Sequence, residues 1–192
     1  YSVLNRFYLD SAKGNFHPWF AEYLDAGKPQ EIIEFGRMKR MRQSLPGIIR
    51  PDVIPTENGF AVTELDSVPG GFGLTSSLMS LYEDSEWEMA GAGIPSLFHQ
   101  MVESVSKEPT PNVAIVVSDE AKDYLKEMQY LGSLLKDKRV YVVHPKDLSF
   151  REEGLFLMHE EKWLRVDVLY RFFELFDLKN IPKSELLLYA AK

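Results

Sequence analysis

Residues 113–143 constrain the fold more than any other stretch of the chain. Val113–Val117 reads VAIVV and Val140–Val143 reads VYVV, two short runs with no charged residue on either face. A strand that is apolar on both faces has to be covered on both, which is the situation of a strand in a parallel sheet. Between the runs, Tyr124, Met128, Leu131, Leu134 and Leu135 recur at helical spacing, and Ser118 and Asp119 stand where N-caps belong. The order predicts a parallel βαβ unit with a right-handed crossover and a helix over 119–136.

The flanking segments extend this to an α/β chain. Residues 156–158 and 163–170 read as hairpin-like strands, and 172–176 and 183–191 as helices. Pro109 and Pro111 mark a linker, which divides an N-terminal α+β portion, 1–107, from a second domain, 108–192. Within the first portion, Ile32, Ile33, Phe35, Met38 and Met41 predict a helix with Pro29 in its first turn. Arg37, Lys39, Arg40 and Arg42 stud that helix; they form a solvated face, or one of them reaches a phosphate near Arg50. Further helices are expected over 74–82 and 94–105, with a break at 91–93.

The chemistry is concentrated between Arg50 and Gly73. An apolar run to Pro55, the turn signal Thr56-Glu57-Asn58-Gly59 and a second run from Phe60 to Leu65 predict a hairpin. Plain alternation along the second strand sets Ala61, Thr63 and Leu65 on one face and Phe60, Val62 and Glu64 on the other. Glu64 and Asp66 then share a face about 7 Å apart, suited to converging on a hard cation such as Mg²⁺. Pro69-Gly70-Gly71-Phe72-Gly73 follows and opens a helix, whose N-terminus with exposed amides is an anion cradle. This run fits neither G-x-x-x-x-G-K-[ST] nor G-x-G-x-x-G, so a solvated acidic turn is the plain alternative. Arg50 precedes Pro51 and is therefore extended; it either meets substrate or pairs with Asp52 or Glu64.

Composition narrows the class. The net charge of -7, with no basic stripe beyond 37–42, argues against a nucleic-acid partner. The chain has no cysteine, which removes thiolate chemistry and fits a reducing cytoplasm. No apolar run approaches the roughly 20 residues of a membrane span. His17, His144 and His159 lack partners at ligand or triad spacing, and Trp163 and Tyr170 read as core.

In order, Arg50-x-Asp52, Glu64-x-Asp66, Pro69-Gly70-Gly71-Phe72-Gly73, AIVVSDEAKDYLKEMQYLGSLL, RVYVVHPKDL and WLRVDVLYRFFEL span 50–175. This set resembles the circularly permuted ATP-grasp ligases that include eukaryotic glutathione synthetase and glutathionylspermidine synthase. The resemblance implies a Rossmann-like pre-ATP-grasp domain, a three-layer sheet, in the second half. It implies an ATP- and Mg²⁺-dependent ligase that joins a small-molecule carboxylate to an amine through an acyl phosphate. Arg50 would be the catalytic arginine, touching substrate and phosphate, and Glu64 and Asp66 would hold Mg²⁺. The family has Asn at the second position, and Asp66 departs from it while keeping an oxygen ligand. Ser67, Gly70, Gly71 and Arg171 would bind substrate, Arg171 in preference to Arg165, and Glu127 aligns with a polar substrate contact. The chain starts at Tyr1 without methionine and stops at Lys192 within a helical pattern, so a fragment is expected. The sheets that enclose ATP, their lysine and the remaining metal acid would follow residue 192, and these residues alone are expected not to turn over ATP. The alternative is a non-catalytic Rossmann-like module that binds a small ligand or a partner.

Overall fold

The computed structural model describes residues 1–82, 93–135, 138–184, 187 and 190. Over these the chain is mixed α/β, with helices and several small sheets, and it divides into two compact units, Tyr1–Ser67 and Val68–Lys192. Among the described residues no helix is long and apolar enough to cross a membrane.

The first unit contains α1 (Ser2–Ala12), α2 (Trp19–Asp25), α3 (Gln30–Arg37) and a hairpin of β1 (Arg50–Thr56) and β2 (Gly59–Asp66). No hydrophobic side chain of this unit is buried among the described residues, so it is held by half-exposed clusters. Phe7 meets Phe16 and Phe20 at centroid distances of 5.2 and 5.3 Å, and Trp19 stacks on Phe20 at 4.0 Å. Beside them the Tyr8 hydroxyl donates to Asp25 at 2.8 Å, and Asp25 also accepts from Arg37.

Arg37 is thereby committed to Asp25, and α3 ends at that residue rather than running through Met41 as the periodicity predicts. Tyr8→Phe is expected to cost about 1 kcal/mol, the net value of one such bond, read as a lower urea midpoint. Burial first, then the Asp25 bond, raises the Tyr8 phenol above its ordinary value of 10.0. Its stabilisation is therefore present below that ordinary value and is lost as pH rises through the raised one; the phenylalanine variant should lack this alkaline loss.

In the hairpin, Thr56 pairs with Gly59 across Glu57 and Asn58, as the turn signal predicts. The positive φ falls on Gly59, at 126°.

The second unit holds α4 (Phe72–Leu81), α5 (Gly93–Val105), β3 (Val113–Val117), α6 (Leu125–Leu134), β4 (Val140–Val143), β5 (Leu148–Arg151), β6 (Gly154–His159), β7 (Lys162–Arg165) and β8 (Val168–Phe172). β3 and β4 are parallel neighbours as predicted, with Val113 opposite Val140, and β3 is buried along its whole length. α6 crosses close to β4: a Cβ on Gly132 would stand 3.1 Å from Val142.

Several expectations are corrected here. The helix between β3 and β4 starts as a 3-10 turn at Lys122–Tyr124, and neither Ser118 nor Asp119 caps it. The expected strand 163–170 splits. β7 stays in an antiparallel β5-β6-β7 sheet, whereas β8 joins β3 in parallel, giving the order β4-β3-β8. Asp167 causes the split, because its carboxylate accepts from the Asn112 amide at 2.9 Å and its own amide donates to the Asn112 carbonyl. That link fastens the start of β8 to the start of β3. Of residues 172–176 the first three are not helical, since Phe172 ends β8, whereas 175 and 176 open a 3-10 helix over Leu175–Asn180. Position 136, positions 91–92 of the expected break, and most of the expected helix over 183–191 lie outside the described residues.

Glu160 and Glu161 link β6 to β7 with φ of 46° and 63°. Left-handed backbone at two non-glycine residues costs about 1–2 kcal/mol each, and an Asn-Gly pair relieves it. The double change Glu160→Asn, Glu161→Gly is expected to raise stability by about 1 kcal/mol. A urea midpoint that is unchanged or lower would contradict this reading of the turn.

Candidate functional site

The hairpin departs from plain alternation at the residue that decides its chemistry. Val62 pairs with Val53 but Glu64 pairs with Asp52, so Thr63 is an extra residue in β2. Its hydroxyl donates to the Asp52 carbonyl at 3.1 Å. Such a bulge flips every side chain beyond it to the other face. Glu64 and Asp66 therefore leave the face of Phe60 and Val62 and join Arg50 and Asp52, their cross-strand partners.

This gathers one cation among three carboxylates at the open end of the hairpin. The Arg50 Nε–Asp52 Oδ1 distance is 3.1 Å and Arg50 Nη2–Asp66 Oδ2 is 3.4 Å. The Asp52 hydrogen bond first, then the charges of Asp52, Asp66 and Glu64, hold the guanidinium above its ordinary pKa. Among the described residues no three acidic or histidine side chains lie close enough together to hold a metal ion by themselves. Two carboxylates on one face, Glu64 and Asp66, are the number that a Mg²⁺ ion takes when phosphate and water fill its other positions. Asp52 is the pairing partner that the sequence offered Arg50; its place opposite Glu64 follows only once the bulge sets the register.

Ser67 closes the first unit, and the glycine turn belongs to the second. Each glycine there has a packing reason. A Cβ on Gly70 would stand 2.2 Å from the Tyr124 ring, and one on Gly73 would stand 2.5 Å from the Glu127 carbonyl oxygen. Gly71, at φ 96°, precedes α4 and accepts from the Thr75 amide at 2.8 Å. The expected anion cradle at the start of α4 receives an internal anion: Glu127 Oε2 accepts from the Leu74 amide at 3.4 Å. Glu127 thus has a capping contact at the position where the resemblance suggested a substrate contact.

Arg171 lies near the carboxyl end of β8, opposite Val116, on the side of a parallel sheet where ligands bind. Burial pushes its guanidinium below the ordinary value, against the opposing influence of Glu174 and Tyr170. It donates to the Phe173 carbonyl and lies over that ring, 5.6 Å from the centroid. Arg165 instead ends β7, where its carbonyl accepts from Asn112.

No family model, curated protein or solved structure matches the chain.

The carboxyl ends of β3 and β4 carry a second group that the sequence reading passed over. Ser118 and His144 are the first polar residues after the two apolar runs, and both line a cavity of about 990 Å³. The signal was present in the sequence: in a parallel βαβ unit, the residue that follows each apolar strand stands at the ligand-binding edge.

Proposed function

We propose that the chain is the N-terminal, substrate-side part of an ATP- and Mg²⁺-dependent carboxylate–amine ligase of the circularly permuted ATP-grasp kind. In this reading residues 108–192 are a Rossmann-like pre-ATP-grasp domain, the enzyme is cytoplasmic, and most of the nucleotide site lies outside these residues. The observation that carries the proposal is the Thr63 bulge, which turns Glu64 and Asp66 onto the face of Arg50. A bulge that re-aims side chains is a common device beside active sites.

Mg²⁺, when bound, neutralises charge on the transferring phosphoryl group. Glu64 and Asp66, which share one face of the hairpin, would hold it. Arg50, kept charged and oriented by Asp52, offers its free donors to phosphoryl or carboxylate oxygens, a geometry its planar fork suits. The resemblance gives substrate contacts to Ser67 on the first unit and to Gly70, Gly71 and Arg171 on the second.

The test uses the natural polypeptide that carries this sequence, supplied with ATP, Mg²⁺ and mixtures of amino acids, short peptides and polyamines. ADP and orthophosphate should appear only when both an acid and an amine are present. ADP release without either, or none with any pair, would overturn the reading. The Glu127 and Arg171 contacts favour a second reading, because both groups already have partners within the second unit. In that case the chain is a non-catalytic binding module, marked by ligand binding without ADP release.

A further inference from the structure

The cavity at the carboxyl ends of β3 and β4 has donors aimed into it and no function in the ligase reading, on which the following does not depend. Ser118, at the end of the central strand, is 2% exposed, and its Oγ has no hydrogen-bond partner. A buried hydroxyl left unpaired costs roughly 1–3 kcal/mol, so its retention beside a cavity points to a ligand that pairs it. His144, at the end of β4, repeats the pattern. Its Nδ1 accepts from the Lys146 amide at 3.2 Å, which places the ring proton on Nε2, and its own amide donates to Asp147 at 3.2 Å. The ring is thus fixed with Nε2 as a donor. That atom is buried without a hydrogen-bond partner, although Asp119 Oδ2 stands 3.3 Å away, off the bonding direction.

The rest of the lining completes the chemistry. Lys122 and Lys146 bring two ammonium groups, while Lys183 is occupied with the Lys146 and Leu148 carbonyls. Leu148, Leu157 and Trp163 supply apolar wall. Asp119 and Asp147 line the same cavity, and Asp147 already accepts from the His144 amide; beside them a hydroxyl, an imidazole N–H and two ammonium groups are donors that match an acceptor-rich group. The apolar wall matches an organic body attached to it, and the volume of about 990 Å³ lies at the upper end of small-molecule pockets.

The geometry points to a binding site for a small organic anion, a carboxylate or phosphate carried on an apolar body, held by Ser118, His144, Lys122 and Lys146. The experiment is a titration of the isotope-labelled 192-residue chain, followed by amide and imidazole resonances, with phenyl phosphate, benzoate and orthophosphate as probes. At least one aromatic anion should give saturable shifts centred on Ser118, Lys122, His144 and Lys146, and orthophosphate should bind more weakly because it leaves the apolar wall unused. Whichever aromatic anion binds more tightly assigns the anion class. Lys122→Met and Lys146→Met, both at exposed positions, should each weaken binding about tenfold, the effect of one charged hydrogen bond. His144→Gln, which keeps a side-chain donor, should weaken it less than His144→Phe. Shifts that do not saturate, shifts centred elsewhere, or affinities unchanged in the two lysine variants would overturn the assignment.

Discussion

A single methyl group at residue 73 is expected to cost the second unit about 2 kcal/mol, the scale of forced overpacking. Helix propensity alone argues the opposite, since Ala is favoured over Gly by about 1 kcal/mol within a helix; the sign of the change is therefore decisive. The new Cβ would stand 2.5 Å from the Glu127 carbonyl oxygen and 2.6 Å from its Cα. Both atoms are backbone of α6 and cannot swing aside, so α4 has to lift away, and the Glu127 cap on Leu74 goes with it. Gly70→Ala should cost less, because the atom it meets belongs to the Tyr124 ring, which is 44% exposed and yields more readily than backbone. Urea midpoints of the two variants check both statements, and a Gly73→Ala chain more stable than the parent would show that the α4–α6 approach is looser than described.

In the ligase-competent polypeptide, Glu64→Gln should lower turnover by about two to three orders of magnitude, equivalent to about 3–4 kcal/mol of charge stabilisation in the transition state. Stability should hardly move, since Glu64 stands opposite Asp52 and relieving that repulsion costs the fold nothing. Asp66→Asn is expected to be much milder, because it restores the residue that the resembling family carries there. Full activity with a lowered midpoint in Glu64→Gln would show that the carboxylate serves the hairpin and not a metal.

The two halves of the chain were legible to different degrees, for physical reasons. Val113–Val117 and Val140–Val143 could be placed as parallel neighbours because a strand apolar on both faces has few environments open to it. The fate of 163–172 could not be read, because its division between two sheets is set by Asp167 meeting Asn112, a pair 55 residues apart. The same limit applies at the site. Glu64 and Asp66 were identified as a same-face pair, but which face they share depends on one extra residue in the register. The glycines of 70–73 were read as room for an anion; at Gly70 and Gly73 the room is taken by Tyr124 and Glu127, contacts that arise only when α4 packs on α6.

The most direct measurement follows an oxygen atom. When the natural polypeptide acts on an acid whose carboxylate carries ¹⁸O, with ATP, Mg²⁺ and an amine, transfer through an acyl phosphate moves one carboxylate oxygen into the released orthophosphate. Labelled orthophosphate, formed in step with the amide product and lost in Glu64→Gln, is the expected result. Orthophosphate that carries no label while amide accumulates would contradict the acyl phosphate route.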